Sequence, residues 1–166
     1  QTAIKELGLE SPETIALIPS TTRQVLIIVP DISDSFHADT IKGICDQLYK
    51  ADMIAVLCNS NHDDFQIEET YLNFAKSNHF AGVIMLSVIA SPPLIELLKN
   101  YPIPVILVNR FIRTLDMDVV CIDNYRGGYM AARCLLDHGH KNIAYLSGSR
   151  FSTAHQDRLR GFSDAM

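Results

Sequence analysis

The chain has 166 residues, of which 48% are hydrophobic and 20% charged, and its formal net charge at pH 7 is −5. These proportions are typical of a folded globular protein and exclude a disordered or collagen-like chain. The negative charge excludes nucleic-acid binding through a general basic surface. The longest apolar runs, "VLIIV" and "GVIML", are too short to span a membrane.

Short apolar runs alternate with longer amphipathic segments from residue 25 onward. The runs have apolar side chains on both faces, which predicts buried strands, and the segments between them repeat apolar residues at helical spacing. The predicted strands cover residues 25–30, 53–58, 82–87, 104–109, 119–122 and 142–148. This alternation predicts the α/β class, with a parallel sheet and helices on both of its faces. Ligands of such folds bind beyond the carboxyl ends of the strands, so the residues that follow each strand are the candidates for a site.

His138 and His140 flank Gly139, and two such histidines raise the question of a metal site. Gly139 stands where a helical pattern ends, which predicts a left-handed residue that ends the helix. The two histidines then lie on either side of a chain reversal, and we expect neither a metal nor another cofactor here. The cysteines have no CxxC spacing, and we expect reduced thiols in a cytoplasmic protein. They are Cys45, Cys58, Cys121 and Cys134.

The order of the segments carries a resemblance. "VLIIVPDISDSFHADTIKGI", "FAGVIMLS", "IPVILVNR", "VCIDNYRGGYMAARCLLDHGHKNIAYLSG" and "RLRGF" follow one another between residues 25 and 166. Together they resemble the effector-binding core of lac repressor/purine repressor-type transcriptional regulators. The resemblance implies a periplasmic-binding-protein-like fold, a small-molecule effector such as a sugar or sugar derivative, and operator DNA bound through a headpiece. It also implies a homodimer, whose contact we expect on the apolar stripes of the helices that begin near Phe36 and Pro93.

The resemblance divides the chain into three parts. Residues 1–24 would be a remnant of the DNA-binding headpiece and hinge, residues 25–141 the amino-terminal effector-binding subdomain, and residues 142–166 the first strand and helix of an incomplete second subdomain. "AIKELGLESP" (3–12) resembles the end of a headpiece, which favours a regulator over a periplasmic sugar-binding protein of transport or chemotaxis. The helices that contact bases are expected before residue 1. Leu17 is the candidate for a minor-groove contact in the hinge, although Pro19 disfavours a helix just before it.

By resemblance, the first strand-to-helix turn supplies part of the effector site. Phe36 would stack on the effector, while Ser35 and the helix amides would meet its polar atoms. The alternative is local: Ser33 or Asp34 caps the helix and Phe36 packs against it. One turn can serve both roles, and we expect Asp34, Ser35 and Phe36 to line the site.

Further candidates follow later strands. Ser87 and Asn109 match positions that line the cleft in the family, and the amide of Asn109 both donates and accepts. Arg158 in "DRLRGF" matches the arginine that the family directs at effector hydroxyls or a carboxylate, a role that suits a planar guanidinium. The alternative for Arg158 is a surface salt bridge with Asp157 or Asp164.

Neighbouring polar residues have simpler interpretations. Arg110 is either a pocket residue or a surface charge, and Asp123 and Asn124 are predicted to cap the next helix. Ser152 and Thr153 are weaker candidates for the effector site, because they are small where nucleobase-responsive members of the family often carry larger side chains; their size favours a sugar.

No motif of an α/β enzyme accompanies these strands. Neither GxGxxG, a P-loop nor a GxSxG elbow follows a strand, and "NHDD" (61–64) is predicted to precede a helix as its cap. The sequence therefore predicts a binding protein and not an enzyme.

Overall fold

The structure is a computed structural model that describes residues 23–61, 65–86, 88–150 and 152–166. Its centre is a parallel sheet of five strands in the order β2-β1-β3-β4-β5. The strands are β1 (Gln24–Val29), β2 (Ile54–Asn59), β3 (Gly82–Met85), β4 (Val105–Val108) and β5 (Asp118–Val120). The helices are α1 (Ser35–Lys50), α2 (Phe65–Ser77), α3 (Pro92–Lys99), α4 (Asn124–Asp137) and α5 (Thr153–Ala165). The predicted parallel sheet is confirmed.

Strand β1 divides the core into two layers. Leu26 and Ile28 are fully buried in a cluster with residues of α2 and α3, including Leu72. Ile27 and Val29 point to the other face, where the stripe of α1 packs on them. Successive side chains of a strand alternate between faces, so a strand covered on both sides is apolar throughout. The prediction of helices on both faces is confirmed.

The two helices predicted to carry spare apolar surface behave differently. Leu94 and Leu98 of α3 are buried in the core, and Ile95 and Leu97 are partly buried against it. The apolar residues of α3 therefore pack mainly inward, and the dimer contact expected on this helix stays a prediction. On α1 the stripe also packs inward, but Tyr49 in its last turn remains 85% exposed.

Helices α4 and α5 form a unit of their own. A Cβ atom added to Gly128 of α4 would overlap the backbone carbonyl of Arg158, and one added to Gly161 of α5 would overlap that of Tyr125. The two helices therefore touch backbone to backbone, which requires glycine at both positions. Helix α4 packs chiefly on α5 and not on the sheet.

The segment between these helices departs from the prediction. Residues 142–148 were predicted as a sixth strand, but they form no strand and Leu146 is 96% exposed. A strand needs a neighbour to pair its backbone groups. Within the part of the chain that the structure describes, no strand lies beside this segment.

The end of α4 follows the prediction for Gly139. Its φ is +83°, and the amides of Gly139 and His140 donate to the carbonyls of Leu136 and Leu135 at 2.9 and 3.1 Å. Two orphan carbonyls of the last turn are thereby satisfied, and "DHGH" ends a helix as predicted. Among the described residues, no helix is long and apolar enough to cross a membrane.

Candidate functional site

A cavity of about 260 Å³ opens at the carboxyl edge of the sheet. It lies between the turn from β1 to α1, the end of β4 and the start of α5. Four of the predicted effector residues line it, namely Asp34, Phe36, Asn109 and Arg158. The parallel strands explain this convergence, because their carboxyl ends meet at one edge.

The remaining candidates lie elsewhere. Ser35 is exposed on the first turn of α1 and does not line the cavity, because Phe36 and His37 occupy the side of the turn that faces it. Ser87, predicted for the site, and Leu17, predicted for DNA, lie outside the residues that the structure describes.

The turn from β1 to α1 serves as a helix cap and as a cavity wall at once. Asp34 Oδ1 accepts a hydrogen bond from the amide of Phe36 at 2.9 Å, which caps the helix. The ring of Phe36 is 55% exposed and meets the imidazole of His37 edge to face, with ring centroids 5.3 Å apart. Phe36 therefore presents an aromatic face to the cavity instead of burying it in the core.

His37 was not among the predicted residues, although it shares the predicted turn. Its side chain is buried, and its Nε2 lies 4.0 Å from Asp34 Oδ2. Burial lowers the pKa of His37 below its usual 6.5; the positive charge of Arg110 lowers it further, while the carboxylates of Asp34 and Asp31 oppose the shift. A neutral imidazole at this wall can both donate and accept.

Asn109 ends β4 in a left-handed conformation, with φ at +64°. Asparagine tolerates this region better than most residues, and such conformations collect at binding sites. The backbone amide of Asn109 donates a hydrogen bond to the carbonyl of Val120 at 2.8 Å, which stabilises the turn of the backbone. The turn places the Asn109 side chain on the cavity wall.

Arg158 of α5 is half-buried and donates from Nε to Asn124 Oδ1 at 2.9 Å. The carboxylates proposed as its alternative partners are engaged by other groups. Asp157 pairs with Arg113 at 2.8 Å and with Arg160 at 3.4 Å, and Asp164 accepts from the hydroxyl of Tyr125 at 3.0 Å. Arg158 lines the cavity, and neither of the two carboxylates is its partner in a salt bridge.

The start of α5 brings a weaker candidate, Ser152, and an unpredicted residue, His155, to the cavity. Ser152 and His155 line the cavity, and the buried Oγ of Ser152 has no hydrogen-bond partner within the described part of the chain. The segment that follows β4 also contacts the first residue of α5, because the backbone amide of Phe111 donates a hydrogen bond to Thr153 Oγ1 at 3.1 Å. The resemblance to the family had already marked Ser152 as a weaker candidate, whereas no pattern in the sequence marked His155.

The lining of the cavity contains both acceptors and donors. The carboxylates of Asp31 and Asp34 follow β1, while Arg110 follows β4 and Arg158 belongs to α5. Among the described residues, no group of three or more His, Cys, Asp or Glu side chains is placed to hold a metal ion. The arrangement suits a polar organic molecule that accepts and donates hydrogen bonds.

The family model for periplasmic binding proteins and the sugar binding domain of the LacI family matches residues 22–166. The chain belongs to this family. Catabolite control protein A of Priestia megaterium is 33% identical over an alignment of 169 residues, which covers 98% of this chain and 49% of that protein. The chain spans about half the length of the relatives it matches.

Solved structures of LacI-family proteins share the fold. The crystal structure of the transcription regulator CcpA of Lactococcus lactis is 28% identical with a TM-score of 0.78, and covers 87% of this chain and 53% of that one. A LacI family transcriptional regulator from Enterococcus faecium with bound ribose is 30% identical with a TM-score of 0.72, over 86% of this chain and 51% of that one. These relatives are transcription regulators and not enzymes.

Proposed function

We propose that the chain is the effector-sensing core of a DNA-binding transcription regulator, a repressor, and that its cavity binds a sugar or sugar derivative. The observation that carries the proposal is the convergence of Phe36, Asn109 and Arg158 on one cavity. Sugar hydroxyls need both donors and acceptors, and the C–H face of a sugar ring packs on an aromatic ring. The ribose bound to the Enterococcus faecium regulator supports this class of ligand.

The cavity lies between two units, which suggests how binding is sensed. The sheet with α1, α2 and α3 supplies Phe36 and Asn109, and α5 supplies Arg158. We place the boundary between the two subdomains near residue 123, because α4 packs on α5 and belongs with it. The boundary expected from the sequence, at residue 141, would put α4 and α5 in different subdomains although their backbones are in contact. A ligand that contacts both units favours one angle between them. This angle would control DNA binding by a headpiece, of which residues 1–24 would be the end and the hinge.

A homodimer in the cytoplasm completes the proposal. Tyr49 at the end of α1 and Ile54 and Leu57 of the edge strand β2 are exposed apolar side chains on neighbouring elements. Exposed apolar groups of this kind mark protein interfaces, so we place the dimer contact there. The relatives are regulators, which favours this function over sugar transport.

Isothermal titration calorimetry of the purified protein with D-ribose, other neutral sugars and sugar phosphates tests the proposal. We expect one saturable site for at least one of these compounds. Phe36→Leu should weaken binding because it removes the aromatic wall, whereas Phe74→Leu, which changes another partly exposed phenylalanine far from the lining residues, should not. Absence of binding by every sugar, or equal effects of the two variants, would contradict the proposal.

A further inference from the structure

We propose that Asn124 is a positioning residue for the effector site, whose side-chain amide fixes the orientations of Arg158 and Asn109 at the cavity. The consequence for ligand binding rests on the proposed function. Asn124 does not line the cavity itself and acts through these two side chains.

The contacts of Asn124 use both ends of its amide. The side chain is 94% buried at the start of α4, its Oδ1 accepts from Arg158 Nε at 2.9 Å, and its Nδ2 donates to Asn109 Oδ1 at 3.4 Å. Nδ2 also lies 3.3 Å from the carbonyl oxygen of Ile122. An arginine has only donors, so the oxygen of Asn124 must face Arg158 and its NH₂ must face the two oxygens.

These contacts decide which atoms remain for a ligand. Arg158 engages Asn124 through Nε, which leaves its two terminal nitrogens available to a ligand in the cavity that Arg158 lines. Asn109 engages Asn124 through its oxygen, which leaves its Nδ2 as the donor on the cavity side. The buried side-chain amide of Asn124 thus orients Arg158 in the α4–α5 unit and Asn109 in the sheet unit.

The role of Asn124 is separate from capping. Asp123 caps α4, because its Oδ1 accepts from the amide of Arg126 at 2.8 Å. The sequence-based prediction that both residues cap this helix therefore holds for Asp123. The buried amide of Asn124 is directed instead at Arg158 and Asn109, which a cap does not require.

Two substitutions separate the two ends of the amide. Asn124→Leu has a similar shape and removes both contacts. Asn124→Asp keeps an acceptor for Arg158 Nε but turns an oxygen towards Asn109 Oδ1 and the carbonyl of Ile122. Asn109 must then turn its amide over and present its oxygen to the cavity. Asp123→Ala is the matched control, since it weakens the same helix end without touching Arg158.

Nuclear magnetic resonance of the ¹⁵N-labelled chain reads the first contact directly. The Nε–Hε signal of Arg158, assigned with Arg158→Lys, should exchange slowly with solvent in the wild type. In Asn124→Leu it should exchange at least about tenfold faster, as expected for the loss of a charge-assisted hydrogen bond. In Asn124→Asp and Asp123→Ala it should stay protected. An unchanged Arg158 signal in Asn124→Leu, or its loss in Asn124→Asp at wild-type stability, would overturn the proposal.

A titration with D-ribose measures the consequence. Asn124→Leu should weaken the affinity by about tenfold or more, and Asp123→Ala by much less, even where it lowers the melting temperature equally. Equal affinity of Asn124→Leu and the wild type would overturn the proposal. If no sugar binds the wild type, the proposed function fails, while the Arg158 signal still decides whether Asn124 positions that side chain.

Discussion

At the residue scale, neighbouring groups hold two of the polar side chains that line the cavity. Asp34 is held by the amide of Phe36, and Arg158 by Asn124. Side chains held in this way lose less conformational freedom when a ligand binds, so more of each hydrogen bond appears as affinity. Changes at these residues should therefore affect binding more than stability.

Arg158→Ala tests whether the guanidinium of Arg158 binds the effector. Removal of the guanidinium should weaken effector binding by about 2–4 kcal/mol, roughly 30- to 1000-fold, because its charge-assisted hydrogen bonds to the ligand are lost. The control is Arg160→Ala on the same helix, where the guanidinium pairs with Asp157 and lies 5.0 Å from the centre of the Tyr125 ring. Calorimetric titration of both variants is the measurement, and equal affinities of Arg158→Ala and the wild type would show that Arg158 is a surface charge.

His37 should make stability depend on pH. Burial lowers its pKa in the folded chain, so the unfolded chain takes up a proton first as the pH falls below about 6.5. The stability contributed by neutral His37 is present above that pH and is lost below it. Urea unfolding at about pH 7.5 and 5.5 should show a smaller loss in His37→Gln than in the wild type. His140→Gln, at an exposed histidine, is the control; an identical loss in all three proteins would contradict the prediction.

At the element scale, the contact of α4 with α5 determines where Arg158 stands. Gly127 and Gly128 are adjacent, yet only a Cβ at Gly128 meets backbone, whereas a Cβ at Gly127 has nothing within 4 Å. The helices can approach because Gly128 and Gly161 face each other, and Arg158 belongs to the turn that Gly128 touches.

The adjacent glycines provide a matched pair of substitutions. Gly128→Ala should destabilise the protein by about 1–3 kcal/mol or more, because the added methyl group forces the helices apart. Gly127→Ala should stabilise it by up to about 1 kcal/mol, since alanine is the better helix former and the position is open. Chemical unfolding followed by circular dichroism measures both, and a destabilising Gly127→Ala of similar size would contradict this account of the contact.

Local patterns predicted the elements that depend on local burial. The all-apolar run of β1 predicted a strand covered on both faces, and Gly139 predicted the end of α4. The predictions failed where distant partners decide the outcome. Residues 142–148 are apolar enough for a strand but have no neighbouring strand to pair with among the described residues.

The site was predictable in part for the same reason. Phe36, Asn109 and Arg158 follow from the order of motifs in the family and from the rule that ligands bind beyond strand ends. No pattern predicted His37 or His155, and the sequence predicted Asn124 only as a helix cap, because its contacts depend on packing between elements that are far apart in sequence. The Asn124 contact with Arg158 spans 34 positions of the chain.

At the scale of the whole molecule, the cavity is where the two units meet. The sheet unit and the α4–α5 unit are also joined by the Arg113–Asp157 ion pair and by the hydrogen bond between the Phe111 amide and Thr153. A ligand in the cavity adds contacts to this junction, and the free energy of those contacts would change the angle between the units. The regulatory function proposed for the chain depends on this coupling.

Hydrogen–deuterium exchange of the chain with and without the sugar that binds most tightly tests whether one ligand joins the two units. We expect slower exchange in three separate segments, residues 31–37, 109–111 and 152–158, because one ligand would contact all three. Slower exchange confined to residues 98–105 and 116–118, which line an open groove elsewhere on the molecule, would contradict it. So would a bound sugar that leaves residues 152–158 unchanged, since the two units would then not share the ligand.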